Sequence, residues 1–478
     1  MFIGYHATQL AIDLIPVSRY GVGSPALYHL LFGILPPDHL TMMRANAVMG
    51  VLTIPLLATF GARLLADRRA GALFALIAAL LPQFIRNDNS DANNVPALLY
   101  MMGAAVLFAE HLAAGEVLTL AGAVVLAAFA AMTRPEMPVV VLGVLGTLLL
   151  AQPERTRARK AALIAAAAAI VILTLPHVMH VRASSADLKT SLTWGRDMKL
   201  AQLPGKLAEM NAVIEPRIYP RALLVLAIVL LVIAPRERRR ARVVLALLAA
   251  LSFVVYVVDI DWANVARVHV PGALWTTLLA CAAMVDLVEI ARRRLPAQRA
   301  APWVAGAVMA GGIAVTTVPT ARLLFAPTNE QTEDDFIHAA VAAMPPAEFI
   351  LLRPDWDDRD KSSPFSAYTH YFFPDYLFTP PARSGHVMGL GEFRTRESFD
   401  QQVYFFAGMR CFAQFRSREV PPPRGDNKQP ACAEMERNYQ LEEVLGWDVP
   451  NRGNVWLDYY GDAPTLHLAL YRVLPRRR

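Results

Sequence analysis

Up to about Pro319 the chain is dominated by long Ala/Leu/Val runs broken by short polar connectors. That pattern constrains the fold more than any other feature. A run of about 20 apolar residues is long enough to cross the hydrocarbon core of a bilayer. Inside that core every backbone N–H and C=O needs an internal partner, which such runs find by coiling into helices. The runs are Met42–Leu65, Ala70–Ile85, Val95–Leu112, Val117–Met132, Met137–Leu150, Ala161–Val178, Ala222–Ala234, Val243–Val258, Val270–Ile290 and Trp303–Val318. They predict about ten transmembrane helices, several short enough to need tilt or extension at their ends.

Composition agrees. Only 18% of residues are charged, against about 25% in soluble domains. After Phe325 the sequence reads as water-soluble. The expected fold is an all-α polytopic membrane domain over residues 41–320, followed by a small soluble α/β domain over 326–478. Residues 1–40 are expected to form an outer-face loop with short helices.

Lysine and arginine set the orientation, because they collect in cytoplasmic connectors. "ARLLADRRA", "ERTRARK", "PRERRRAR" and "ARRRLPAQR" are basic, and the connectors between them are not. The alternation places the basic set in the cytoplasm. It places residues 86–94, 133–136, 179–221 and 259–269, with the soluble tail, outside. The chain is expected to be a multi-pass protein of a bacterial inner (plasma) membrane with a periplasmic or extracellular C-terminal domain. The same count puts residues 1–40 outside without a signal peptide's basic start and apolar core. Either a further helix ahead of Met1 or a short N-terminus that crosses without help is expected, the first being favoured.

The outer connectors carry a recurrent mixture. "RNDNSDANN" holds Arg86, Asp88 and Asp91; "TRPE" holds Arg134 and Glu136; "DIDWANVARVH" holds Arg267 and His269. Charge beside a membrane helix end is costly unless paired or used. Arginine clamps phosphate through a planar, bidentate fork. A carboxylate serves as general base or holds a divalent metal. A wet, inert connector is the competing reading for each of these residues.

Several motifs in order resemble the polytopic GT-C glycosyltransferases, which include protein mannosyltransferases and lipid A aminoarabinose transferases. Pro25–Tyr28 and "RANAVMG" (Arg44–Gly50) match a Pro-Leu-Tyr stretch leading into an "R-x-P-S/N-A-x-x-G" helix. "GARLL" matches the helix end that follows. "IRNDNSDANN" occupies the place of a polar connector, "AAMTRPE" that of a "T-R/K-P/G-E" connector, and "ARVHVPGAL" that of a late-helix entry. The resemblance covers about residues 4–275. It implies transfer of a sugar, with inversion, from a polyprenyl-phosphate carrier to a glycan, lipid or protein acceptor on the outer face. It makes Asp88 and Asp91 the catalytic candidates, and Arg267, Arg86, Arg134, Glu136 and His269 the substrate-binding candidates. No metal site can be assigned, although a divalent metal suits the acids. It also implies an acidic pair just ahead of Gly4, and the sequence from Met1 contains none. A transporter or flippase, or an inactive scaffold displaying its tail, are the alternative functions.

The tail mixes periods. "AEFILLRP", "VYFFAG", "CFAQF" and "TLHLALYRV" predict strands, and "TEDDFIHAAVAAM" and "ACAEMERNY" predict helices. Cys411 and Cys432 flank a proline-rich segment on the side where disulfides persist, so they are expected to pair. The net charge of +6 comes largely from cytoplasmic arginines. It points to membrane lipids as partners, not nucleic acid.

Overall fold

The computed structural model describes residues 23–35, 39–81, 84–85, 94–133, 137–151, 157–186, 236–259, 270–294, 329–344, 349–353, 385–389, 401–408, 411, 430–451 and 464–474, with single positions at 303, 307, 311, 314 and 318. The chain divides into two compact units, His6–Arg322 and one that holds Leu323–Arg478.

The described part of the first unit is helical: α1 Gly23–Phe32, α2 His39–Leu65, α3 Arg68–Ala79, α4 Asn94–Ala114, α5 Val117–Ala131, α6 Met137–Ala151, α7 Arg157–Ala186, α8 Arg236–Asp259 and α9 Val270–Arg294. Among the described residues, four helices hold segments long and apolar enough to cross a membrane: Thr41–Leu65, Asn94–Ala114, Ala161–Met179 and Val270–Ile290. Val117–Ala131 and Met137–Ala151 are shorter apolar helices. The expected span Ala222–Ala234 lies outside the described residues. Two expectations need correction. The helix expected to reach Ile85 ends at Ala79, with Leu80 as its cap. The outer loop expected from Met179 begins later, because α7 continues to Ala186. At 1.5 Å per residue, α7 rises about 45 Å, well beyond a hydrocarbon core of about 30 Å.

Neighbouring helices pack closely because small residues line their contacts. α2 and α3 meet at Gly61 and Gly71, where a Cβ on Gly61 would stand 3.2 Å from the Cα of Gly71. Such approach lets backbones supply the packing energy that lipid tails do not. Ala66 turns left-handed (φ 53°) between these helices. Asp67 then caps α3, accepting from the N–H of Arg69 at 2.9 Å and of Ala70 at 3.3 Å. At the α4–α5 turn, His111 Nδ1 donates to the carbonyl of Glu116 at 2.7 Å. An Arg63–Glu110 ion pair joins the matching ends of α2 and α4. α9 is buried on every side from Val270 to Met284, and its Trp275 ring lies 5.5 Å from Phe60 of α2.

Hydroxyls inside these helices bond back to their own backbone. Thr53 donates to Met49 O, Thr147 to Gly143 O, Ser252 to Leu248 O and Thr277 to Ala273 O. α2 also contains Pro55, which has no N–H for the carbonyl of Val51. Thr59 Oγ1 donates to Pro55 O at 2.9 Å just beyond it.

The second unit contains α10 Asn329–Ala343, β1 Phe349–Arg353, β2 Gly385–Gly389, β3 Gln402–Ala407, α11 Pro430–Asn438, β4 Gln440–Pro450 and β5 Thr465–Leu474. The sheet order is β2-β1-β3-β5-β4. β1 pairs in parallel with β2 and β3, and β5 pairs antiparallel with β3 and β4. The register puts Phe406, Leu445, Trp447, Leu466, Leu468, Leu470 and Val449 on one face. Phe336 of α10 covers that face, its ring 5.5 Å from Phe406 and 5.3 Å from Trp447. Cys411 and Cys432 are joined by a disulfide, with Cα atoms 5.7 Å apart, and both sulfurs belong to this core. The strand expected over "CFAQF" is not seen at its one described residue: Cys411 sits in a turn, its N–H bonded to Gly408 O at 3.0 Å.

Candidate functional site

All seven candidate site residues, Arg86, Asp88, Asp91, Arg134, Glu136, Arg267 and His269, lie outside the described residues. What the structure gives is the set of helix ends that bracket them. Residues 86–93 run into α4 at Asn94, residues 134–136 link α5 to α6, and residues 260–269 link α8 to α9.

Two of these brackets are tied together through α1. The N–H of Gly23 donates to Met132 O at 3.2 Å, at the end of α5. The phenol of Tyr100, less than two turns into α4, donates to Gly23 O at 3.4 Å. The rings of Tyr100 and Phe129 lie 5.6 Å apart. Only glycine fits at position 23: a Cβ there would run into the carbonyl oxygen of Phe129 and stand 2.9 Å from Thr133 Cγ2. Thr133, the last described residue before Arg134, turns its hydroxyl back to Ala130 O at 2.6 Å. The start of α1, the start of α4 and the end of α5 therefore form one packed knot at this end of the unit.

α1 is tied to α2 as well. The buried phenol of Tyr28 donates to the buried Asn46 amide oxygen. Tyr28 ends the Pro-Leu-Tyr match and Asn46 lies in "RANAVMG", so the two motif fragments are halves of one contact. Sequence order alone did not join them. Arg44, the arginine of that motif, is exposed.

A second polar feature was misread in the sequence. Arg242 belongs to "PRERRRAR", expected to be a solvated basic connector. The structure instead buries it, paired with Asp286 of α9, at 3% and 7% side-chain exposure. Arg242 Nη2 also donates to Ala282 O at 3.2 Å, one turn before Asp286. The signal was a lone aspartate in the apolar stretch "AAMVDLV", which requires a cationic partner. Among the described residues no group of three or more His, Cys, Asp or Glu side chains converges as a metal site.

Residues 24–180 match the dolichyl-phosphate-mannose-protein mannosyltransferase family. No curated protein matches the chain. Among solved structures, the chain is similar to ArnT from Cupriavidus metallidurans bound to undecaprenyl phosphate. The identity is 12% and the TM-score 0.50, over 98% of this chain and 92% of that one. It is also similar to the archaeal oligosaccharyltransferase AglB from Archaeoglobus fulgidus, in complex with an inhibitory peptide and a dolichol-phosphate. There the identity is 11% and the TM-score 0.46, over 80% of this chain, which spans 59% of the length of AglB. The chain thus carries a segment, residues 24–180, that matches the mannosyltransferase family, and it shares the fold of ArnT.

Proposed function

We propose that the chain transfers a sugar from a polyprenyl-phosphate carrier to a glycan, lipid or protein acceptor on the periplasmic face of a bacterial inner membrane. The observation that carries this reading is the family match over residues 24–180, which takes in both connectors bearing Arg86, Asp88, Asp91, Arg134 and Glu136. The bound undecaprenyl phosphate of ArnT supports a lipid-phosphate carrier. The Gly23 knot supports a shared site, because it fastens together the helix ends that flank those connectors. The Cys411–Cys432 bond supports an oxidising compartment for the tail.

In this reading an acceptor hydroxyl attacks the anomeric carbon, the bond from that carbon to the phosphate oxygen breaks, and the carrier leaves as its phosphate. Arg267 clamps the phosphate through its planar fork. Arg86 and Arg134 add positive charge where the leaving oxygen gains negative charge. Asp88 or Asp91 takes the acceptor's proton, and Glu136 and His269 hold the arginines and acceptor in place. A divalent cation would fall to Asp88 and Asp91, since hard cations take oxygen ligands.

The test is sugar transfer in membranes from a polyprenyl-phosphate donor. Arg267→Ala should lose about 2–4 kcal/mol of transition-state stabilisation, typical of removing one charge-stabilising donor. Arg267→Lys should lose less, since it keeps the charge without the fork. An alanine variant as fast as the parent would overturn the phosphate role.

A further inference from the structure

β4 and β5 carry a constellation that the transfer reading leaves unused. His467 of β5 stands between two carboxylates of β4. Its Nδ1 is 2.8 Å from Asp448 Oδ1 and its Nε2 is 3.0 Å from Glu443 Oε2. A carboxylate accepts hydrogen bonds and has none to give. Both ring nitrogens must therefore donate, and the geometry is that of an imidazolium.

The backbone is shaped around this ring. Glu443 and Asp448 are five residues apart, so a regular strand would send them to opposite faces. The register shifts between Glu443 and Leu445, leaving Val444 as an extra residue. Such a bulge re-aims the side chains that follow it. It puts Glu443, opposite Tyr471, on the same face as Asp448, opposite His467. Gly446 completes the cradle: a Cβ there would run into the Glu443 carboxylate and stand 3.1 Å from His467 Cε1. A bulge, a glycine and two carboxylates thus converge on one ring.

We propose that Glu443, His467 and Asp448 form a pH-operated clasp across the β4–β5 hairpin, closed while His467 is protonated and released when it loses its proton. Loss of one proton leaves a bare ring nitrogen facing a carboxylate oxygen, and one of the two cross-strand bonds turns repulsive. Among the described residues, the groups facing the ring are few. Tyr471 lies next along the same face; its phenol is pushed up to about 12 by burial and then by Glu443 and Glu436, so it stays neutral. Glu436 of α11 bears on the Tyr471 phenol. On the β3 side, Ala407 and Phe405 carry no charge. Arg472 and Glu442 pair with each other on the opposite face at 3.2 Å. His467 itself is raised above its ordinary value by the hydrogen bond it donates to Asp448, against partial desolvation, with Glu443 adding in the same direction. A raised histidine contributes stability that is complete below the unfolded value of about 6.5 and is lost as pH rises through the folded value.

Hydrogen exchange of the full chain in detergent micelles reads this directly. Peptides over residues 440–450 and 464–474 are followed from about pH 6 to about pH 9, with labelling times scaled for the intrinsic rate. Protection in the parent should fall across this window, tenfold for each unit by which the folded value exceeds the unfolded one. In His467→Gln it should be flat. Asp448→Asn, which keeps the shape, should lessen the fall, and this variant decides the matter if His467→Gln does not fold. PH-independent protection in the parent would overturn the clasp. So would a parental pH dependence retained in either variant, or an equal fall in peptides from α10.

Discussion

Truncating Arg242 is the sharpest test of how the helical unit is held. Asp286 lies in the apolar span Val270–Ile290, four residues from its end, so about 6 Å inside at 1.5 Å per residue. Its carboxylate is 7% exposed, too little for water to replace the lost partner. Arg242→Ala therefore removes the buried ion-pair partner of Asp286, and also strips a donor from Ala282 O. Breaking a buried pair from one side costs about 3–5 kcal/mol, whereas replacing both partners by apolar residues is often neutral. Asp286→Ala should cost a similar amount, since Arg242 is 3% exposed. The double variant Arg242→Met/Asp286→Leu should cost less than either single one. Equilibrium denaturation of the detergent-solubilised chain with increasing SDS gives all three values. The reasoning fails if the double cost equals the sum of the single costs to within about 0.5 kcal/mol, the range of additivity for sites that do not interact. It also fails if each single cost is below about 1 kcal/mol, as for a pair in contact with water.

Two further expectations come from positions with well-defined surroundings. Gly23→Ala should cost about 1–3 kcal/mol by overpacking α1 against α5, while Gly146→Ala, with nothing within 4 Å of the new Cβ, should gain about 0.5–1 kcal/mol of helix preference; the same SDS titration compares them, and shifts of the same sign would refute the knot. Cys411 and Cys432, 21 residues apart, should add a maleimide-linked polymer only after reduction, and Cys432→Ser should destabilise the second unit by about 3 kcal/mol through lost loop closure; ready labelling of both thiols in unreduced material isolated from membranes would refute both the bond and the oxidising location.

Among the described residues, hydropathy found four helices long enough to span, because lipid imposes one rule on every residue of a span. It failed where polarity has a local answer. Arg242 was counted with the basic connector because it closes the run "PRERRRAR"; Arg239 and Arg240 of that run are exposed, and only the fold brings Asp286 to Arg242. In the tail, β1, β3 and β5 were legible as apolar or alternating runs. β4 was missed, and the reason is physical. The Val444 bulge breaks the two-residue period midway through the strand, and Glu442, Glu443 and Asp448 give it the composition of a loop. The five-residue β2 is too short to show a period. The candidate site residues themselves lie outside the described residues; of the two motif fragments, Tyr28 and Asn46 meet, a contact that depends on α1 packing against α2 and that no local pattern encodes.

Pro55 gives α2 a mechanical character that its two ends lack. One end is fastened by Asn46 to Tyr28 of α1. The other is seated against α3 and α9 by Gly61 and by Phe60, whose ring lies tilted beside Trp275. Between them a backbone hydrogen bond is missing at Val51, because proline has no N–H to offer. A rod clamped at both ends and softened in the middle takes up bending there. A displacement of α1 would accordingly be taken up near Pro55 before it reached the α2–α3–α9 packing, the long apolar span acting as two stiff lengths with a softer joint between them.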